Sequence, residues 1–308
     1  MFLKGSLKIP GKSRFLLNAA LTTAVIAVSF AAIFIRLSEA PALIIALYRL
    51  LFTLGLLLPH SLILRWNELR SLKVSDFRGI LISGFFLASH FYLWIDSLNH
   101  SPVIVAVILV SLHPLLVAVA GYFFLGDAVP RNFLSSMLLI LAGTTAIASE
   151  NISGLTNSTP TELRGVLMAL GGAAMMAGYL LVGRRLRQHL STSVYAGGAY
   201  GTAALILFIT TVIVGIPLFG YSVREYTLFA ALAIIPTFLG HTVFNWSLRK
   251  VRASLISLLY LGEPLGATVL AFIILQEVPT LLQTLGGVTI LTGLYLVIKP
   301  EPTQVTAR

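Results

Sequence analysis

The sequence Leu-His-Pro-Leu-Leu at residues 112–116 has a counterpart 150 positions later, Gly-Glu-Pro-Leu-Gly at residues 262–266. Each segment places one ionisable residue, His113 or Glu263, directly before a proline in the middle of a long apolar stretch. Ionisable side chains are costly in an apolar environment and are found there mainly where they face a cavity or a partner. We therefore interpret the two segments as facing each other across a pore, held in place by the rest of the chain.

The composition is that of an integral membrane protein. Of the 308 residues, 57% are hydrophobic and 10% are charged, and the mean hydropathy is +0.93, whereas about a quarter of the residues are charged in soluble domains. The chain has no cysteine, which excludes disulfides and thiolate metal sites. The net charge of +10 would suit a nucleic-acid partner, but basic residues of membrane proteins usually report topology.

Polar and proline breaks divide the chain into segments of about 20 apolar residues, the length of a helix that crosses the hydrocarbon core. The first segment is too long for a cleaved signal peptide and has no small-residue cleavage site. The fold class is therefore an all-α membrane protein. The ten predicted spans are 15–37, 41–63, 77–98, 102–124, 131–149, 164–185, 193–215, 227–248, 253–275 and 280–298.

Basic residues decide the orientation of these ten helices. With a cytoplasmic N-terminus, 17 of the 21 Lys and Arg residues lie on the cytoplasmic side. Arg36, Arg164 and Arg224 lie on the outer side, and Arg49 falls inside a helix. This asymmetry follows the positive-inside rule. Both ends are then cytoplasmic, residues 300–308 form a cytoplasmic tail, lipid surrounds the spans, and no nucleic-acid partner is needed to explain the charge.

The two halves of the chain repeat each other, separated by a polar segment, 150–163, that we interpret as an external linker. A unit of five helices re-enters the membrane from the opposite side, so residues 1–149 and 164–299 are predicted to be inverted repeats, an arrangement typical of transporters. The matching pairs are Ser97-Leu98 with Ser247-Leu248, His113-Pro114 with Glu263-Pro264, Asp127 with Glu277, and Val129-Pro130 with Val278-Pro279.

Both halves share a small-residue-rich helix with a central Pro, an acidic residue at its end and Val-Pro opening a last, Gly-rich helix. This pattern resembles the drug/metabolite transporter superfamily, specifically its EamA-type exporters, over residues 15–299. The resemblance implies a ten-helix exporter of small metabolites, such as amino acids or related compounds, in a prokaryotic cytoplasmic membrane. It also implies a cavity lined mainly by helices one to four and six to nine. The halves differ in one respect, because His113 stands where the second half has Glu263.

The ionisable residues of the predicted spans share one depth. At a rise of 1.5 Å per residue, each lies roughly 12 to 21 Å from a helix end, near the midplane. Residues three, four and seven positions apart share a helix face, which adds two aromatic residues and an amide and also places Thr237 in line with His241. Neither a cofactor nor a metal is expected. The predicted substrate-binding residues are Arg49, His90, Trp94, His113, His241, Asn245, Tyr260 and Glu263.

Glu263 is the candidate functional acid. Removal from water favours the protonated form of a carboxyl group, so a buried Glu263 could exchange a coupling proton or bind the amine of a substrate. The competing interpretation is a structural ion pair with Arg49, because two isolated charges of opposite sign inside a membrane are each other's natural partners. The sequence leaves both interpretations open.

The two central prolines are candidate hinges. Pro114 and Pro264 each delete a helix hydrogen bond, which frees the carbonyls of Val110 and Tyr260. Matched prolines in inverted repeats suit a hinge for alternating access. A static packing kink is the alternative.

The leading function is secondary active export of a small organic solute, without enzymatic activity. No phosphate-binding P-loop is present to supply ATP drive, and protons are the candidate coupling ion. A divalent-metal permease that uses His90, His113, His241 and Glu263 is an alternative. An intramembrane enzyme that uses the same groups as acid and base is a remoter one, and a receptor is another. The active unit is predicted to be a monomer or a homodimer.

Overall fold

The computed structural model describes residues 11–125, 132, 135–143, 146, 160–247, 259, 260 and 262–298. Every regular element in these ranges is a helix, which confirms the all-α class. In chain order the helices are α1 (Gly11–Ser29), α2 (Ala31–Arg36), α3 (Ala42–Leu64), α4 (Trp66–Arg70), α5 (Val74–Ser97), α6 (Val103–Val110), α7 (His113–Leu125), α8 (135–143), α9 (Pro160–Leu186), α10 (Thr192–Val214), α11 (Val223–Leu232), π1 (Ala233–Thr242), α12 (Val243–Ser247), α13 (Gly262–Leu270), π2 (Ala271–Leu275) and α14 (Leu281–Ile298).

Six helical stretches in the described part of the chain are long and apolar enough to cross a membrane. They are Leu16–Arg36, Ala42–Leu64, Val74–Ser97, Leu163–Leu186, Thr192–Val214 and Val223–Ser247. Shorter apolar helices occupy Val103–Val117, Gly262–Leu275 and Leu281–Gly293. These stretches coincide with nine of the ten predicted spans, and α8 lies within the remaining one, 131–149, which is only partly described. The count of ten stays a prediction.

Two predicted boundaries meet the edge of what the structure describes. α9 begins at Pro160, inside the predicted linker 150–163, whose residues 150–159 lie outside the described part of the chain. The predicted tail 300–308 lies outside it as well. Proline at the first helical position is favourable because its missing N–H is not needed there, which explains a helix start at Pro160.

The bundle is built on close helix contacts. α5 packs along α9 and α10, α10 also packs on α3, and α1 packs against π1 and α13. Small residues permit this approach. A methyl group added at Gly84 would lie 2.9 Å from the Ala199 carbonyl oxygen, and one added at Gly262 or Gly266 would clash with the Val25 or Ser29 side chain of α1. Gly262 and Gly266, four residues apart on one face of α13, therefore serve close helix contacts within the chain.

The helix that carries Pro114 is broken, as its sequence predicts. α6 ends at Val110, Ser111 and Leu112 form a turn, and α7 begins at His113. The Val110 carbonyl, which Pro114 leaves without a helix donor, accepts a hydrogen bond of 3.0 Å from His113 Nδ1. The His113 side chain, next to the proline, thus replaces the helix hydrogen bond that the Val110 carbonyl lacks. The corresponding prediction of a break at Pro264 involves Leu261, which lies outside the described residues.

A π-helical segment, π1, interrupts the helix that contains His241, and the sequence patterns did not predict it. Pro236 lies inside π1 and cannot donate a backbone hydrogen bond. Two threonine hydroxyls donate to carbonyls five residues earlier, Thr237 to Leu232 over 2.7 Å and Thr242 to the Thr237 carbonyl over 3.1 Å. Single π turns in helices are frequent at functional sites.

Ion pairs join the helix ends at the predicted outer face. All three arginines assigned to that face from the sequence have an acidic partner, so the outer charge is neutralised locally. The pairs are Arg36–Glu277 at 2.7 Å, Arg164–Asp96 at 3.0 Å and Arg224–Glu39 at 3.5 Å. At the opposite end of α5, His189 Nε2 lies 2.9 Å from Asp76 Oδ1.

Candidate functional site

A small cavity lies at the centre of the bundle, between α5, the α6–α7 break, α9, π1 and α13. Its volume is about 10 Å³, enough for a single water molecule. Val110, Ser111 and Met176 contribute to the lining and were not predicted as site residues. The structure brings together six of the eight predicted residues around this cavity, namely His90, Trp94, His113, His241, Tyr260 and Glu263.

The three cavity histidines are oriented by hydrogen bonds of one ring nitrogen. His90 Nδ1 lies 2.9 Å from the Gly172 carbonyl, and His113 Nδ1 lies 3.0 Å from the Val110 carbonyl. Because a carbonyl only accepts, both rings donate from Nδ1, and Nε2 is the acceptor in the neutral ring. His113 Nε2 is buried and has no hydrogen-bond partner among the described residues. His241 Nδ1 lies 3.2 Å from the Tyr260 hydroxyl.

Aromatic contacts fix the walls of the cavity. The His90 and Trp94 rings stack with their centroids 6.0 Å apart, and Tyr260 lies edge-on to His113 at 5.5 Å. Phe244 packs on Tyr260 at 4.3 Å. The last two pairs join Tyr260 to the α6–α7 break and to α12, so the walls come from both halves of the chain.

Arg49 lies beside the cavity and is fully buried. Its Nε donates to Thr237 Oγ1 over 2.6 Å, and its Cζ lies 4.2 Å above the Phe91 ring centroid and 5.7 Å from that of Trp94. Nη1 and Nη2 are buried without a hydrogen-bond partner among the described residues. The guanidinium is therefore held by one polar bond and two cation–π contacts, while its two terminal nitrogens stay unpaired.

Glu263 and Arg49 do not form a direct ion pair. None of the salt bridges within 4.0 Å joins these two described residues. Glu263 is buried at 9% exposure and lines the cavity. The site thus holds an acid and a base that stay apart in this conformation.

Asn245 lies outside the cavity lining. Its Nδ2 donates to the Tyr179 hydroxyl over 3.0 Å and reaches the Tyr200 hydroxyl at 3.5 Å. Tyr179 also stacks on Tyr195 at 6.0 Å. Asn245 therefore belongs to a buried tyrosine cluster between α9, α10 and α12. The four-residue spacing from His241 misplaces it because π1 widens the turn at Thr242, where simple α-helical periodicity no longer applies.

The geometry gives no support to a metal site. Within the described ranges, no group of three or more His, Asp or Glu side chains is placed to hold a metal ion. Each of the three histidines instead uses one ring nitrogen in a hydrogen bond with a carbonyl or a hydroxyl group.

Comparisons with known proteins agree with this architecture. The model of the EamA-like transporter family matches residues 14–149 and again residues 163–299. The uncharacterized transporter YxxF of Bacillus subtilis (strain 168) is 29% identical over 229 residues, which cover 72% of this chain and 70% of that protein. The uncharacterized transporter YetK of the same organism is 23% identical over 202 residues, which cover 63% of this chain and 60% of that protein.

A solved crystal structure has the same fold. It superposes with a TM-score of 0.63 at 19% sequence identity, over 92% of this chain and 98% of the other. At this identity the likeness bears on the fold alone. The two family matches cover most of the chain and confirm the resemblance seen in the sequence. The protein therefore belongs to the EamA-like transporter family and is a multi-pass integral membrane protein.

Proposed function

We propose that this protein is a secondary transporter that carries a small organic solute through the central cavity by alternating access. The observation that carries the proposal is the convergence of three histidines, Trp94, Tyr260 and Glu263, from helices of both halves, on one small cavity. A pocket with a few convergent polar groups among apolar and aromatic walls is the usual form of a small-molecule site. At about 10 Å³ this cavity is too small for a solute, so we propose that it widens when the solute enters.

The proposed frame is ten helices in two inverted repeats, 1–149 and 164–299. The helix packing supports these two repeats. When each helix is replaced by its counterpart in the other half, an observed contact between two helices becomes another observed contact. The contact of α5 with α9, predicted helices three and six, becomes that of π1 with α1, helices eight and one. The contact of α6 with α9 becomes that of α13 with α1, and α5 with α10 becomes π1 with α3. Two separate matches of one family model add further support.

Two larger cavities offer routes to the centre. One, of about 520 Å³, lies at the predicted outer face and is lined in part by Arg36, His100 and Glu277. The other, of about 900 Å³, lies at the opposite end and is lined in part by Arg65 and Trp246. Neither includes a residue of the central cavity lining. Alternating access would join the centre to one of them at a time, with Pro114 and Pro264 as proposed hinges.

Glu277 is the proposed outer latch. Its Oε1 pairs with Arg36 at 2.7 Å, while its Oε2 accepts from the Val103 backbone N–H at 2.9 Å. Arg36 also donates to the Leu98 carbonyl over 2.8 Å. One carboxylate thus connects the segment after π2 with α2 and with the first turn of α6, which closes the outer end between the two halves.

Removal of this latch is expected to expose the centre to the outer side. The chain has no cysteine, so a single Ser111→Cys reporter in the cavity wall can be labelled selectively. With Glu277→Gln added, labelling by a membrane-impermeant thiol reagent from the outer face should accelerate by roughly tenfold, the effect of about 1.4 kcal/mol on the opening equilibrium. Glu39→Gln, which removes a more exposed pair at 3.5 Å, is the control and should leave the labelling rate unchanged. An unchanged rate in Glu277→Gln would show that this pair does not hold the outer end closed.

The finer features of the function are proposals as well. Glu263 is the proposed proton-binding residue, export is the proposed direction, and the prokaryotic cytoplasmic membrane is the proposed location, which the Bacillus relatives support. Amino acids or related compounds are the proposed substrates. A monomer or a homodimer would serve equally, because the cavity lies within one chain.

Reconstitution tests the proposed function directly. Purified protein in proteoliposomes would be assayed for counterflow of amino acids, amines, organic acids and divalent metals, with and without a proton gradient. Counterflow of at least one organic solute, above empty liposomes, is the expected result. Metal flux alone would favour the permease alternative. No flux of any solute would overturn the proposal.

A further inference from the structure

We propose that Arg49 is the anion-binding residue of the transport site and that the transported solute is a small organic monocarboxylate. This inference rests on the proposed function and adds the chemical class of the substrate. Three observations carry it: the unpaired terminal nitrogens of a buried guanidinium, the rigid mounting of that group, and the charge balance of its surroundings.

The first observation is an incomplete set of hydrogen bonds. A guanidinium has five N–H donors, and Arg49 uses Nε on Thr237. Nη1 and Nη2 are buried and have no partner among the described residues. A buried donor without a partner is costly, and a buried charge without one is more so. Because no salt bridge joins Arg49 to Glu263, the missing acceptor is best supplied by a bound anion.

The second observation is the rigid position of the guanidinium. The Thr237 hydroxyl donates to the Leu232 carbonyl over 2.7 Å and accepts from Arg49 Nε, so the π1 segment fixes the edge of the group opposite its free nitrogens. The Phe91 ring covers one face at 4.2 Å. A planar group held in this way presents Nη1 and Nη2 as a fork, which matches the two oxygens of a carboxylate.

Trp94 connects this fork to the cavity. Its ring lines the cavity and lies 5.7 Å from Arg49 Cζ, and its Nε1 is a further buried donor without a partner among the described residues. A carboxylate that enters an expanded cavity past Trp94 would therefore meet three unfilled donor atoms. Trp94 would thus both line the cavity and donate a hydrogen bond to the carboxylate.

The charge balance selects a single negative charge. Arg49 is the one fully buried Lys or Arg side chain of the described residues around the site, so a single carboxylate neutralises the site when Glu263, which lines the same cavity, carries its proposed proton. A phosphate dianion would leave a second charge buried without compensation, and a cationic solute would be repelled by Arg49. The remaining cavity wall, with Trp94, Tyr260 and the histidines, suits an apolar or weakly polar substrate body.

Matched probes of equal shape test the inference. Purified full-length protein would be mixed with each member of three pairs, L-leucine and L-leucinamide, L-phenylalanine and L-phenylalaninamide, and 4-methylpentanoate and its amide, and with inorganic phosphate. Ligand binding to the folded state raises the unfolding temperature. At least one carboxylate should stabilise the protein and compete in counterflow about tenfold better than its amide, as expected for one lost charged hydrogen-bond pair.

Variants assign the effect to Arg49. Arg49→Gln should remove the preference for carboxylate over amide, and Arg49→Lys should keep the preference with binding weakened by about tenfold, since Lys cannot form the fork. Arg224→Gln, a surface arginine paired with Glu39, is the control and should behave like the wild type. If both Arg49 variants fail to fold, the comparison of carboxylate and amide in the wild type decides by itself.

The outcomes separate this inference from the proposed function. Counterflow of amides, amines or phosphate that equals or exceeds that of the carboxylates would overturn the role of Arg49 and leave the transporter assignment standing. A carboxylate preference that survives in Arg49→Gln would also overturn it. Absence of flux for every solute of the wider panel would overturn both.

Discussion

Glu263→Gln is expected to abolish proton-dependent transport and to flatten the dependence of the rate on pH. Glu263 lines the central cavity, is buried and forms no salt bridge with another described residue. The substitution preserves the shape of the side chain and removes its ability to exchange a proton. Uptake driven by a proton gradient should therefore fall to the level of empty liposomes.

The measurement is counterflow and gradient-driven uptake in proteoliposomes between pH 5 and 8, with thermal unfolding as the check on folding. Glu39→Gln is the matched control, because Glu39 is an exposed acid of the predicted outer face. Wild-type rates at every pH in a folded Glu263→Gln variant would refute the coupling role. Loss of gradient drive with retained counterflow would assign Glu263 to the proton alone, and loss of both would assign it to the substrate as well.

Gly84→Ala is expected to destabilise the fold by about 1 to 3 kcal/mol, the usual cost of overpacking a well-packed contact. An added methyl group would lie 2.9 Å from the Ala199 carbonyl oxygen and would also meet the side chain of Thr202. A backbone carbonyl cannot retreat by changing a rotamer, so α5 and α10 would have to separate. Those helices carry His90 and Trp94 on one side and the tyrosine cluster on the other.

The stability difference would be measured by thermal or denaturant unfolding in detergent. Gly201→Ala on α10 is the matched control, because no atom lies within 4 Å of the added methyl group and alanine favours a helix by up to about 1 kcal/mol over glycine. It should be neutral or stabilising. Equal stability of Gly84→Ala and the wild type would mean that α5 and α10 are not in the close contact described here.

The convergence of the site was predictable because depth and repetition are properties of the sequence. Lipid excludes polar groups, so the positions of His90, His113, His241 and Glu263 along their spans indicated one shared level. The repeat then related His113 to Glu263. Hydropathy alone placed nine of the ten spans on helices of the described part of the chain.

The partners of the Arg49 side chain could not be predicted from the depth of residues in the membrane or from the repeat. Thr237 lay on the predicted stripe with His241, but its partnership with Arg49 depends on π1, and one proline in a helix does not specify a π turn. Phe91 carries no polar group that would mark it in the sequence, yet its ring centroid lies 4.2 Å from Arg49 Cζ. Asn245 was placed at the site by a periodicity that π1 breaks.

His113 shows how a structural and a functional role can share one side chain. Nδ1 donates to the Val110 carbonyl. Pro114 leaves this carbonyl without a helix donor, as the sequence predicted. Nε2 is buried and unpaired among the described residues. His113 therefore meets a local structural need with one ring nitrogen, while its other ring nitrogen stays unpaired beside the cavity.

Accessibility of the cavity wall tests alternating access most directly. The Ser111→Cys single-cysteine protein would be treated with a membrane-impermeant thiol reagent from each face of oriented vesicles in turn, with and without transported solute. Slow labelling from both faces is expected, with protection by the solute in both cases. Labelling from one face only, or labelling that the solute leaves unchanged, would contradict a central site that opens alternately to the two sides.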